Sequence, residues 1–167
     1  MPMSQDAYRA YGDLISARDD LKSVAANQDM AKRFGPIGKI QDFRPGRSQP
    51  VLSVYRCEPK KLSAKSEFEI QLLERHPYST QIFIPLRGSD RFLTIVAGGK
   101  DKPDLRSLCA FVVPAEFGIT YHPGVWHHPI VALDQETDFA SWVWEDGTSD
   151  DCEEFSLQTR VSVFLSR

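Results

Sequence analysis

An all-β sandwich or barrel with a few short helices is the fold class this chain predicts. About nine segments are short and rich in β-branched or aromatic residues. Pro, Gly, Asp and Ser interrupt them at intervals of roughly ten residues, and sustained helical periodicity is scarce. Strands separated by turns rather than by helices favour a sandwich or barrel over a parallel sheet with crossover connections.

In chain order, "SQDAYRAYG" offers Ser4 as an N-cap and Gly12 closes the segment, which predicts one short helix. Residues 18–50 are polar and rich in Pro and Gly, and predict a long excursion with little regular structure. Strands are then expected at 51–57, 67–74, 81–86 and 91–97. "DKPDLRSL" places Pro103 for the first turn of a second short helix. Further strands follow at 108–113, 118–122, 128–133, 138–144 and 160–166.

The chain has 167 residues, enough for one domain over 1–167 with its own core and no need of disulfide staples. Its 20 basic and 23 acidic residues give a formal charge of −3, which implies no broad basic surface and so no nucleic-acid partner. No apolar run approaches the roughly 20 residues of a membrane span, and the first residues carry no basic and apolar leader. Cys57, Cys109 and Cys152 are odd in number and widely spaced, fitting neither a disulfide framework nor a thiolate metal site. The expectation is a reduced compartment, hence the cytoplasm.

The chemistry concentrates in "ERHPYSTQIFIPLRG". Upstream, Phe68, Ile70 and Leu72 alternate with Glu67, Glu69 and Gln71, so even-numbered residues are expected to face the core. Glu74 and His76 continue that even series. A carboxylate and an imidazole aimed inward need a hydrogen bond, an ion pair or a metal, because an unpaired buried charge costs several kcal/mol. The competing reading ends the strand at Leu73 and leaves both in a solvated turn before Pro77.

Glu74, His76, Gln81 and Gly88 form E-x-H-x4-Q-x6-G, which resembles the first cupin motif, H-x-H-x3 or 4-E-x6-G, with Glu74 and Gln81 as departures. "HPGVWH" resembles the second motif, P-x-G-x2-H, with His122 in the proline position and His127 in the ligand position. The resemblance implies a cupin-type β-barrel, that is a double-stranded β-helix or jelly roll, with Glu74, His76, Gln81 and His127 around a divalent ion. Two imidazoles disfavour Ca and Mg and leave Ni, Mn, Fe, Co or Zn. Gln81 is a weak neutral ligand that would serve equally well as a group behind the ligands. His128 neighbours His127 and should point to the other face of an extended strand.

Over nearly its full length the chain also resembles the ureidoglycolate lyase family. The residues carrying the resemblance are "YGD" (11–13), "ERHP" with "TQ.FIP..G" (74–88), "DKPDL..L.AF" (101–111), "YH..VWHHP" (121–129), "TDF" (137–139) and "SDDC" (149–152); residues 18–50 show no match. Membership implies cleavage of (S)-ureidoglycolate to glyoxylate and urea in allantoin and purine catabolism, on a homodimer with nickel as the associated ion. On that reading His122 is the acid/base group, and Arg75 and Lys102 are candidates to pair with the substrate carboxylate. Tyr121 and Trp126 would shape the pocket, core packing being the competing reading for both. Another metal-dependent cupin enzyme, a dioxygenase or isomerase of a small acid, would use the same ligands. A non-catalytic sensor would need an attached DNA-binding segment, for which these residues offer no room.

Overall fold

The computed structural model describes residues 3–60 and 67–165. Within them the regular structure consists almost wholly of strands. In chain order they are β1 (Leu14–Ile15), β2 (Ser23–Ala26), β3 (Ala31–Phe34), β4 (Gln49–Cys57), β5 (Glu67–Arg75), β6 (Gln81–Arg87) and β7 (Arg91–Ala97). The rest are β8 (Cys109–Pro114), β9 (Gly118–Tyr121), β10 (Trp126–His127), β11 (Val131–Ala132), β12 (Thr137–Glu145) and β13 (Glu153–Phe164). The helix α1 (Gln5–Tyr8) is capped by Ser4, whose side chain accepts from the Ala7 amide. A 3-10 turn at Leu105–Ser107 is capped by Asp104, so Pro103 stands before the cap and not in the first turn as expected.

One antiparallel sheet runs β1-β9-β6-β12-β4. In the other, β7 pairs β8 along one edge and both β10 and β11 along the opposite edge, and β10 continues to β5 and β13. The two sheets face each other as a jelly-roll-like sandwich and do not close into the barrel expected. Between them lies an aromatic core that includes Phe83, Ile119, Tyr121 and Phe139 from the first sheet and Phe92, Val96, Phe111 and Val113 from the second. The alternate residues of β7 and β8 enter a second cluster with Phe68, Ile70, Leu73, Trp126 and Phe155. All of its strand residues come from the second sheet, which therefore curls around a core of its own and buries both faces.

Three strand expectations need correction. The segment 18–50 contains the hairpin β2–β3, registered from Ser23↔Phe34 to Ala26↔Ala31. Its turn places Asn27, Gln28 and Asp29 at φ of 52, 57 and 66°, a left-handed run for which Asn and Asp are suited. The strand expected at 128–133 contracts to Val131–Ala132, while β10 forms ahead of it. The strand expected at 160–166 instead begins at Glu153; Ser166 lies outside the described residues.

The alternation along β5 also differs from expectation. Phe68 and Ile70 enter the second cluster, but Leu73 joins them there, not Leu72. Opposite this point the pairing with β13 shifts between Ser156 and Val161. The alternation of β5 is broken between Ile70 and Leu73, and the residues beyond it change face. Glu74 and His76 consequently project away from Phe68 and Ile70, into the space between the sheets.

Candidate metal centre

Register builds the site. His127 lies between two strands, paired to Glu74 of β5 and to Val96 of β7. Directly opposed residues of antiparallel strands share a face, so the His127 ring meets the Glu74 carboxylate, Nε2 to Oε1 at 3.6 Å. That is beyond hydrogen-bond length. His76 follows two residues after Glu74 on the same side, its ring 5.9 Å from that of His127 and inclined by 21°. One donor atom from each of Glu74, His76 and His127 lies within 4.8 Å of the others.

The turn His122–Val125 locks the two motifs together. The Val125 amide donates to the His122 carbonyl, Gly124 takes φ +77° as the third residue of such a turn requires, and its amide donates to the His76 carbonyl at 2.8 Å.

Both imidazoles are held in the form a metal needs. His76 Nδ1–H donates to the Asp151 carbonyl at 2.8 Å, and His127 Nδ1–H donates to the Val125 carbonyl at 2.9 Å. In each ring Nε2 is left as the free lone pair. Burial, then the neighbouring His127, pushes His76 down to about 4, so it is neutral at pH 7. Burial pushes the Glu74 carboxyl up, but His127, with His76 and His128, outweighs it and holds the group below its ordinary value. His127 Nε2 and Gln81 Oε1 are both buried without a hydrogen-bond partner. Orphaned acceptors beside an ionised carboxylate are costly unless something positive satisfies them. The residues fit a divalent cation.

Glu74, His76 and Gln81 open into a cavity of about 290 Å³ between the sheets, lined also by Tyr55, Cys57, Phe83, Glu145 and Cys152 among others, with His127 behind its wall. The sequence does not place Tyr55, Cys57, Glu145 or Cys152 at the site. The first two alternate on the inner face of β4, a signal present in "VLSVYRC" but indistinguishable there from ordinary core. Neither cavity thiol is a nucleophile at neutral pH. Burial, then the surrounding carboxylates Glu74, Glu154, Glu145 and Glu153, pushes Cys152 up to about 12, and burial with Asp138 raises Cys57.

The other expected site residues divide by face. Tyr121 stacks on His127 with centroids 4.0 Å apart and planes 10° apart, and its hydroxyl meets Thr94 Oγ1 at 2.8 Å. It backs the ligand and does not line the cavity. Trp126 points the opposite way, into the second cluster against Phe155. Arg75 also lies on that side, its guanidinium 4.6 Å over the Trp126 ring and its Nε donating to Glu153 at 2.8 Å. Lys102 is exposed in the loop after β7. His122 is half-buried one residue beyond Tyr121 and is not among the residues lining the cavity. His128 faces away from the ligands, edge-on to Phe68 at 5.3 Å.

A family model described as ureidoglycolate lyase matches residues 1–164. The chain belongs to the ureidoglycolate lyase family. The curated ureidoglycolate lyase of Escherichia coli O9:H4 (strain HS) is 37% identical over 165 residues, covering 98% of this chain and 96% of the relative. That of Shigella flexneri matches to the same extent. Among solved structures, a dTDP-6-deoxy-D-glucose-3,5-epimerase from Legionella pneumophila is similar at 12% identity and a TM-score of 0.45, covering 88% of this chain and 78% of that one. Family membership makes the protein a lyase, and no helix among its described residues is long and apolar enough to cross a membrane.

Proposed function

We propose that the protein cleaves (S)-ureidoglycolate to glyoxylate and urea in the cytoplasm, with Glu74, His76 and His127 holding a divalent metal and Gln81 beside them. The observation that carries this reading is the cluster of Glu74 with the buried His76 and His127, one imidazole nitrogen of which is orphaned, beside a cavity sized for a small acid, in a chain of this family. Nickel is the ion that the family resemblance implies. When bound, it would lower the pKa of a coordinated hydroxyl and orient the substrate.

The reaction needs no added water. The carbinol hydroxyl loses its proton, the C–O bond becomes a carbonyl as the C–N bond breaks, and the departing ureido nitrogen takes up a proton to become urea. Glu145 is our candidate for this transfer. It lines the cavity, and no hydrogen bond or ion pair occupies it among the described residues. Like Glu74, it is a charged neighbour of both the Tyr55 hydroxyl and the Cys152 thiol. Glu74, committed to the metal, and Glu145, free to carry the proton, divide the two roles that a pair of carboxylates can take.

Purified enzyme given ureidoglycolate should release glyoxylate and urea in equal amounts, with neither ammonia nor oxygen uptake. Ammonia in place of urea would show hydrolysis instead, and oxygen uptake would favour a dioxygenase.

The assembly we propose is a homodimer. Leu52 and Val54 on β4, Ile84 and Leu86 on β6, and Trp142 on β12 share the outer face of the first sheet, with Leu52 67%, Val54 62% and Leu86 58% exposed. Contiguous apolar surface spread over three adjacent strands is a mark of an interface. Sedimentation at micromolar concentration should give about twice the 18.9 kDa chain mass, and Val54→Asp should shift it to monomer. A wild-type monomer would remove the claim.

A further inference from the structure

We propose that Arg44, acting through Asp151, is a positioning residue for the metal ligand His76. The proposal rests on the metal reading of the site, and it gives a role to the "SDDC" stretch, whose chemistry the cleavage reaction does not otherwise use.

The arrangement is a chain of buried polar contacts. His76 Nδ1–H donates to the main-chain carbonyl of Asp151. The Asp151 residue that supplies this carbonyl is held from the other side. Its carboxylate accepts from the Asp146 amide at 2.9 Å and the Gly147 amide at 2.7 Å, and it pairs with the Arg44 guanidinium. Arg44 Nη1 also lies 2.9 Å from the Asp146 carboxylate. The side chains of Arg44, Asp146 and Asp151 are 8, 5 and 11% exposed, and Arg44 is the buried cation that both carboxylates share, Asp146 accepting in addition from the Thr148 amide and hydroxyl. Arg47, the second partner of Asp146, is 69% exposed and contributes little in high dielectric. Arg44 itself is fixed by its amide donating to Asp42 Oδ1 and by its guanidinium stacking 4.7 Å over Tyr78.

The consequence for the ligand is direct. Removing Arg44 leaves two carboxylates without their buried partner, and the residues from 146 to 151 must open toward water to solvate them. The Asp151 carbonyl then no longer holds His76 Nδ1–H, and the ring loses both its tautomer and its aim. Losing an outer partner of a ligating histidine costs about 10- to 100-fold in metal affinity. The family model spans residues 18–50 as well, and this segment supplies the cation on which the ligand's orientation depends.

The test uses the whole chain and nickel(II) alone, with affinity read by competition against a chromophoric chelator and thermal stability recorded alongside. Arg44→Met and Asp151→Asn should each weaken nickel binding by about 10-fold or more, Arg44→Lys should recover part of the loss, and Arg47→Ala should match wild type. If Arg44→Met fails to fold, Asp151→Asn and Arg44→Lys decide. A lower melting temperature with nickel affinity within about twofold of wild type would overturn the positioning role, since a merely structural cation behaves that way. Equal weakening by Arg47→Ala would overturn it too. A wild-type chain that takes up no nickel overturns the metal reading, and this one with it.

Discussion

Replacing His127 by Ala is expected to strip the protein of nickel on dialysis and to lower turnover at least about 100-fold, while His128→Ala keeps both metal and most of its activity. The two histidines are adjacent in sequence but point to opposite sides, His127 within β10 and His128 just past it. His127 is aligned with Glu74 across the strand pair and presents a buried, unpartnered Nε2. His128 packs on Phe68 and donates through Nδ1 to the Pro129 carbonyl at 2.7 Å. His127→Gln separates ligation from packing, because the amide fills much of the space on Tyr121 yet binds metal weakly. Glu74→Gln and His76→Ala should resemble His127→Ala in nickel content, since each removes one of three donors that no other described carboxylate, imidazole or thiol replaces. Equal metal loss from the His127 and His128 variants would mean that the strand register is not what orients the ligands.

The long strands were legible because alternation survives in them. "RFLTIVA" is reproduced as β7 without a shift at either end, and β4, β6 and β12 differ from expectation by a residue or two. What could not be read was structure without an apolar face. In the hairpin of 23–34, no strand residue is fully buried, so no hydrophobic period marks it. The first half of β13 carries its pattern in "EEFSLQ", where acidic residues mask the strand. The curling of the second sheet around its own core was equally hidden, because a strand buried on both faces reads as a continuous apolar run whichever way the sheet bends.

For the site, the motif spacing selects Glu74, His76, Gln81 and His127; the structure brings Glu74, His76 and His127 within 4.8 Å of one another and sets Gln81 on the adjoining cavity wall. The parity argument reached the inward direction of Glu74 and His76 by the wrong route. It carried the register of Phe68 and Ile70 forward unbroken, whereas Leu73 resets it, and the residues reach the cavity because the face changes. The break coincides with the register shift against β13, some eighty residues away, and leaves no local signal. Arg75 shows the same limit from the other side. Its charge suggests a carboxylate partner, and it has one, but the partner is Glu153 on the far face of the sheet.

Glu145→Gln is expected to keep its metal and its KM within a few-fold of wild type while losing about 100-fold in kcat, and His122→Ala is expected to keep its kcat. The prediction follows from where the two side chains stand. The carboxylate of Glu145 borders the cavity beside Tyr55 and Cys152 and has no competing partner among the described residues, so in its ionised form it can accept the carbinol proton and return it to the leaving nitrogen. His122 was the natural choice from sequence, since it replaces the usual proline immediately ahead of a ligand-bearing turn. Yet Tyr121 stacks on the ligand at the end of β9, and His122, just past the strand, is not among the residues lining the cavity. Gln preserves the shape of Glu145 and removes only its basicity, so a fall in kcat without loss of metal isolates proton transfer from ligation and folding. Normal turnover by Glu145→Gln together with a 100-fold loss in His122→Ala would return the role to His122. It would also require the 122–125 turn to rearrange around bound substrate, because the imidazole does not border the cavity as the chain stands.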